Sequence, residues 1–201
     1  MAENAKPKLP KIAWGITGAG DKIAEIVEVM KEAKAAGEGK VEIDVYISKA
    51  ADTMLKFYRL DEEVKKSFGK VMVEVNANSP FLAAWLQSGK YEFLLIAPAS
   101  SNTVAKIACS ISDTMLTNAA LMGLKAFKQI YLLPTDYKEG VVSTKLPNGK
   151  DMQLRVRKEE ADQVRRLEVM DGMHTFENPE KMKDFLFSWL KKQTGKTLPE
   201  I

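Results

Sequence analysis

The sequence predicts an α/β fold in three layers, a parallel sheet with helices on both faces, plus a β-hairpin added toward the C-terminus. Three observations carry this reading. Short apolar runs alternate about five times with segments of helical apolar spacing, which calls for right-handed crossovers and a sheet covered on both sides. Glycines and small hydroxylated residues gather where those runs give way to helices. Beyond them the pattern changes, and Asn148-Gly149 marks a hairpin turn between two β-rich stretches.

Taken in order, residues 1–10 carry Pro7 and Pro10 among lysines and read as a flexible N-terminal arm, with 11–201 a single domain. Ile12 to Ile16 is a buried-strand pattern, and Ile23, Ile26, Val27 and Met30 recur at helical spacing between Lys22 and Ala36. Gly37 and Gly39 end that helix. Val41, Ile43, Val45 and Ile47 alternate with Glu42, Asp44 and Tyr46 as a second strand, and Ser48 opens a helix reaching Tyr58. Val71 to Val75 makes a third strand. Ser79-Pro80 then reads as an N-cap followed by proline at the first helical position, leading a short helix to Gln87. Tyr91 to Ile96 is a strand of the buried parallel kind, which Pro98 stops, and Ser100, Ser101, Asn102 and Thr103 are all N-cap types for the next helix. Asp113 to Lys128 is helical and Gln129 to Leu133 a fifth strand. A hairpin extension covers about 140–157, followed by a helix from Lys158 to Met170, a short strand at His174 to Phe176 and a last helix from Pro179 to Gln193. The order belongs to the Rossmann-like or flavodoxin-like class.

Composition bounds the function. Apolar residues make up 45% and charged residues 28%, as in an ordinary globular protein, and a net charge of +3 is scattered instead of forming a basic stripe. Nucleic-acid binding therefore gains no support. The lone Cys109 excludes a disulfide framework and an iron–sulfur centre within the chain, and no metal-ligand spacing occurs. The polar start lacks the apolar stretch of a signal peptide and no run approaches membrane-spanning length, so a cytoplasmic protein is expected.

Open parallel sheets bind ligands where strands end and the chain leaves for opposite faces. Three strand ends are chemically distinctive here. Gly15-Ile16-Thr17-Gly18-Ala19-Gly20 would offer a phosphate bare N–H groups at a helix start, with the Thr17 hydroxyl as a further donor; a tight turn that binds nothing is the plainer alternative. Its Gly-x-x-Gly-x-Gly spacing is not the dinucleotide fingerprint, and the second strand ends in Ser48 instead of an acid, which disfavours NAD. Ser48-Lys49 can hold the same phosphate, or be a capping serine beside a surface lysine. After the fourth strand, Asn102 and the backbone of Ser100, Ser101 and Thr103 can hold the polar edge of a planar ring lying close to Ala97, Pro98 and Ala99. Lys106, one turn on, can offset charge on a reduced ring or be a solvated helix lysine. Phosphate, linker and ring together describe a mononucleotide.

Four segments in order, Gly15 to Ala19, Ile47 to Ala51, Pro98 to Thr103 and Asp113 to Ala120, resemble the flavoprotein family of the homo-oligomeric flavin-containing cysteine decarboxylases and the flavin prenyltransferases. The Trp14-to-Gly20 start and the tail with its hairpin most resemble archaeal flavoproteins of the archaeoflavoprotein A type and the dihydromethanopterin reductases. The resemblance implies non-covalent FMN, bound near subunit interfaces of a homo-oligomer, and places Asp113 and Thr117 at the helix start and subunit contacts. Departures narrow the chemistry. Where decarboxylases of the family carry a Pro-x-Met-Asn-type motif the chain has Pro134 to Tyr137, and Asn76 to Leu86 lacks their histidine; the single His174 lies far along the tail. Asn118 and Pro134 stand where the prenyltransferases have arginines. The expectation is an FMN redox protein taking electrons from a ferredoxin-type donor. Its alternatives are a dihydromethanopterin reductase, a flavin-dependent cysteine decarboxylase and a flavin-binding module without turnover. No catalytic residue is singled out. Scattered methionines fit core packing, and Trp14 or Tyr137 is either core or pocket lining.

Overall fold

A computed structural model describes residues 9–195 apart from Glu38 and Pro147. The predicted arm, except Leu9 and Pro10, and Pro147 of the predicted hairpin turn therefore lie outside the described residues. The elements run β1 (Lys11–Ile16), α1 (Ile23–Ala36), β2 (Glu42–Ile47), α2 (Lys49–Phe57), α3 (Asp61–Phe68), β3 (Val71–Val73), α4 (Leu82–Gln87) and β4 (Phe93–Ala99). They continue with α5 (Ser101–Ala108), α6 (Met115–Lys125), β5 (Gln129–Pro134), β6 (Gly140–Lys145), β7 (Asp151–Val156), α7 (Lys158–Glu168), β8 (Met173–Thr175) and α8 (Pro179–Thr194).

Six strands form one parallel sheet in the order β3-β2-β1-β4-β5-β8, and β6 and β7 pair antiparallel as a separate hairpin. That is the doubly wound order in which the chain reverses direction across the sheet between β1 and β4. Side chains alternate between two cores. Ile12, Trp14 and Ile16 of β1 pack with α1, α2, α3 and α8, while Leu94 and Ile96 of β4 pack with α4, α5, α6 and α7. Tyr46, on the polar side of the predicted alternation, is fully buried, because helices cover both faces of a central strand. It hydrogen-bonds Tyr91, whose hydroxyl donates to Asp44 at 2.7 Å.

Three local expectations are corrected. Pro98 does not stop β4: the strand continues to Ala99 through a register shift between Ile96 and Ala99. One extra residue flips the parity of facing, so Ala97 lies in the first core and Ala99 in the second. Proline, with no N–H to place in the ladder, suits that bulge. Ser79 is not an N-cap; it closes a tight turn onto Asn76, and α4 begins at Leu82 with Phe81 before it. The helix α3 had no counterpart in the sequence reading, although Asp61, Glu62 and Glu63 in its first turn and Lys65 and Lys66 in its last complement the helix dipole. No described helix is long and apolar enough to cross a membrane.

Candidate functional site

The carboxyl ends of β1, β2 and β4 meet at the point where the connections leave for opposite faces. Thr17 pins two of them together. Its backbone N–H and hydroxyl both donate to Pro98 O, at 3.2 and 2.7 Å, and its Oγ1 accepts from Ser100 N at 2.8 Å. A hydroxyl has one proton to give. The proton expected for a phosphate is thus committed to Pro98, and Thr17 acts by fixing the turn.

The glycines of this turn are filled by protein. A Cβ on Gly18 would lie 2.5 Å from Ala50 Cβ, so the β1–α1 turn presses directly on the first turn of α2. Gly15 makes room for Leu116, and Gly20 for the Tyr58 ring. Contact with α2 brings its start into the site: Ser48 caps it, with Oγ accepting from Ala51 N at 3.1 Å, and among the described residues no acceptor takes the serine proton. Glu74, just after β3, accepts from the N–H groups of Lys49 at 3.2 Å and Met115 at 2.8 Å, the first residues of α2 and α6. Thr114 and Thr117 form a capping box at the start of α6, and Asn118 donates to Ala77 O and Asn78 Oδ1, both at 3.0 Å, fixing the loop after β3.

These elements enclose a cleft of about 680 Å³. Of the residues singled out from sequence, Thr17, Gly18, Ser48, Lys49, Ser100, Asn102 and Thr103 line it. Ala19, Gly20 and Ser101 instead line a second cleft of about 240 Å³ under the hairpin, with Ser100 common to both. Gly15, Pro98 and Ala99 lie within the strands beneath, and Lys106 is paired with Asp113 at 2.8 Å. Ala50, Glu74, Asn76, Ala77, Asp113, Thr114 and Leu116 complete the large cleft. Of these Ala50, Asp113, Thr114 and Leu116 fell in segments read as distinctive; Glu74, a single acid after a short strand, carried no signal. Among the described residues, the backbone N–H groups of Gly18, Ala50, Ser101 and Asn102 make no hydrogen bond. Ala50, Ser101 and Asn102 lie in the first turns of α2 and α5, where N–H groups have no helical partner and the dipole favours negative charge. The cleft therefore offers unpaired donors at two ends and a hydroxyl between helices. That donor set fits a phosphate at Gly18, Ser48 and Ala50 and a ring edge at Asn102.

The second cleft ends on Asp136, which accepts from the Ser101 and Thr135 hydroxyls. Trp14 is core: fully buried, it donates to Ala97 O at 2.7 Å and meets Phe68 edge-on. Tyr137 donates to Glu168, and His174 of β8 stacks on Tyr131 of β5, both outside the two clefts. Among the described residues no cluster of His, Cys, Asp and Glu could hold a metal.

The chain is similar to an uncharacterized protein of Methanocaldococcus jannaschii, 43% identical over 185 residues, or 91% of this chain and 98% of that one. It is 37% identical over 147 residues to a dihydromethanopterin reductase (acceptor) of the same organism, covering 70% of this chain and only 59% of the reductase. Among solved structures, DmrB of Burkholderia xenovorans in complex with FMN, described as a cubic protein cage for redox transfer, superposes with a TM-score of 0.78 at 30% identity over 94% of this chain and 98% of that one. A dodecameric FMN-dependent decarboxylase of Escherichia coli O157:H7, at 16% identity and a TM-score of 0.61, shares the fold. The Flavoprotein family model matches residues 2–183, and the chain belongs to that family.

Proposed function

We propose that this chain binds FMN in the large cleft and passes electrons through it, from a ferredoxin-type donor to an acceptor. The observation that carries the reading is the convergence on one cleft of Gly18 N–H, the free Ser48 proton and Ala50 N–H at one end, and of the α5 start at the other. FMN supplies the redox chemistry; the protein supplies binding, orientation and electrostatics. Ser48 and the two amides hold the phosphate, and the dipole of α2 favours its charge. The Asn102 side chain and backbone N–H hold the ring's polar edge, where the positive end of α5 favours a reduced, anionic ring. Lys106 contributes less than the sequence suggested, because Asp113 already answers its charge.

The protein acts as a homo-oligomer. Val75 and Ile111, beside the cleft residues Glu74 and Asp113, expose 61% and 46% of their surface, which suits burial against a second copy. A second reading, reduction of a dihydropterin, is favoured by the smaller cleft, which meets the large one at Ser100 and so sets a small substrate beside the flavin. Purified protein reconstituted with FMN, then mixed with reduced ferredoxin and dihydromethanopterin, separates the two. Flavin bleaching without pterin turnover supports the electron carrier, and turnover supports the reductase. A protein that stays colourless after incubation with FMN refutes both.

A further inference from the structure

We propose that Glu74 is a positioning residue that sets the width of the flavin cleft by tying together the starts of α2 and α6. Its two carboxylate oxygens take one N–H each, from Lys49 and from Met115. Those residues are the first of their helices, whose N–H groups no helical carbonyl can satisfy. Both helices already carry a cap of their own, Ser48 on α2 and Thr114 on α6, so Glu74 adds a link between helices and not a missing cap. The link lies on the wall of the cleft, which Glu74 itself lines. Ser48 and Ala50, which flank Lys49 at the end proposed for the phosphate, and Thr114 and Leu116, which flank Met115, all line the cleft, so the tether fixes how the two helix starts sit side by side in its wall. Glu74 itself is held in place, since its N–H donates to Ile47 O at 2.9 Å.

Geometry and charge predict opposite effects for Glu74 on a bound phosphate. As a bare negative charge it repels a phosphate, and its removal would tighten FMN. As a tether it holds Ser48 and Ala50 at the spacing the phosphate needs, and its removal loosens FMN. Charge-assisted bonds to two otherwise unsatisfied amides make the tether the stronger effect.

The inference rests on the large cleft being the FMN site, and the test keeps the two apart. FMN and riboflavin, which lacks the phosphate, are titrated into apoprotein by quenching of flavin fluorescence. In Glu74→Ala, FMN binding weakens at least tenfold and riboflavin binding changes less than threefold. Glu74→Gln keeps the size and one acceptor oxygen, gives an intermediate loss, and serves if the alanine variant does not fold. Tighter FMN binding in either variant, an unchanged affinity, or equal losses for FMN and riboflavin would overturn the proposal. If Ser48→Ala also leaves FMN affinity unchanged, the phosphate site itself is misplaced; if Ser48→Ala weakens FMN and the Glu74 variants do not, only the tether fails.

Discussion

Gly18→Ala confronts two backbones at the point where the β1–α1 turn meets α2. The added Cβ would sit 2.5 Å from Ala50 Cβ, with Ala50 C and Cα at 3.3 and 3.4 Å. Carbon atoms rest at about 3.5–4.0 Å, so the turn and the helix start must separate by roughly 1 Å. Neither partner is the end of a flexible side chain. Overpacking of this kind costs about 1–3 kcal/mol of stability. The displaced residues include two proposed phosphate donors, so FMN affinity should fall at least tenfold, or about 1.4 kcal/mol. Ala50→Gly in the same chain removes the clashing atom. Alone it costs about 1 kcal/mol as a glycine in a helix. A double-mutant cycle by urea denaturation and FMN titration should show the pair recovering most of the loss, with a coupling of at least about 1 kcal/mol. Additive effects would mean that Gly18 is required for something other than contact with Ala50, and the packing account of the turn would be wrong.

Thr17→Val keeps the shape and removes one buried and one partly buried hydrogen bond, leaving Ser100 N–H unpaired; it should lose about 1–3 kcal/mol in urea melts, and a loss below about 0.5 kcal/mol would refute the pinning role. Trp14→Phe strands no donor but removes the bond to Ala97 O, and a destabilisation of about 1–2 kcal/mol with little change in FMN affinity is expected if Trp14 is core and not pocket lining. Burial pushes the Tyr46 and Tyr91 hydroxyls up from their ordinary value of 10.0. The unfolded chain then gives up these protons near pH 10 while the folded chain keeps them, so stability present below pH 10 falls as the pH rises above it. Denaturation midpoints from pH 8 to 11.5 should show this fall, and Tyr91→Phe should flatten it; an unchanged slope would contradict it.

Most of the architecture was legible because periodicity reports burial. Ile23, Ile26, Val27 and Met30 could only be one face of a helix, and the buried run ending at Ile96 only a covered strand. The short α3 was missed because its apolar stripe, Val64 and Phe68, is only two residues long among charged neighbours, and the turn from Asn76 to Ser79 because no apolar pattern announces it. Ser48 and Ser100 were legible as caps, since a hydroxyl before an apolar run has a local reason to be there. Which hydroxyl remains free to meet a ligand was not, because that depends on partners far along the chain. Thr17 spends its proton on Pro98, 81 residues away, and Glu74 finds Met115 across 41. Glycines misled in the same manner. Their spacing suggested room for a ligand, whereas Ala50, Leu116 and Tyr58 occupy that room, and of Gly15, Gly18 and Gly20 only Gly18 lines the large cleft.

A crystal structure of the protein grown with FMN tests the central claim most directly. The account predicts the phosphate within hydrogen-bonding distance of Gly18 N, Ser48 Oγ and Ala50 N, and the ring edge at Asn102. Flavin density in the smaller cleft under the hairpin, or a phosphate held away from Ser48, would contradict it.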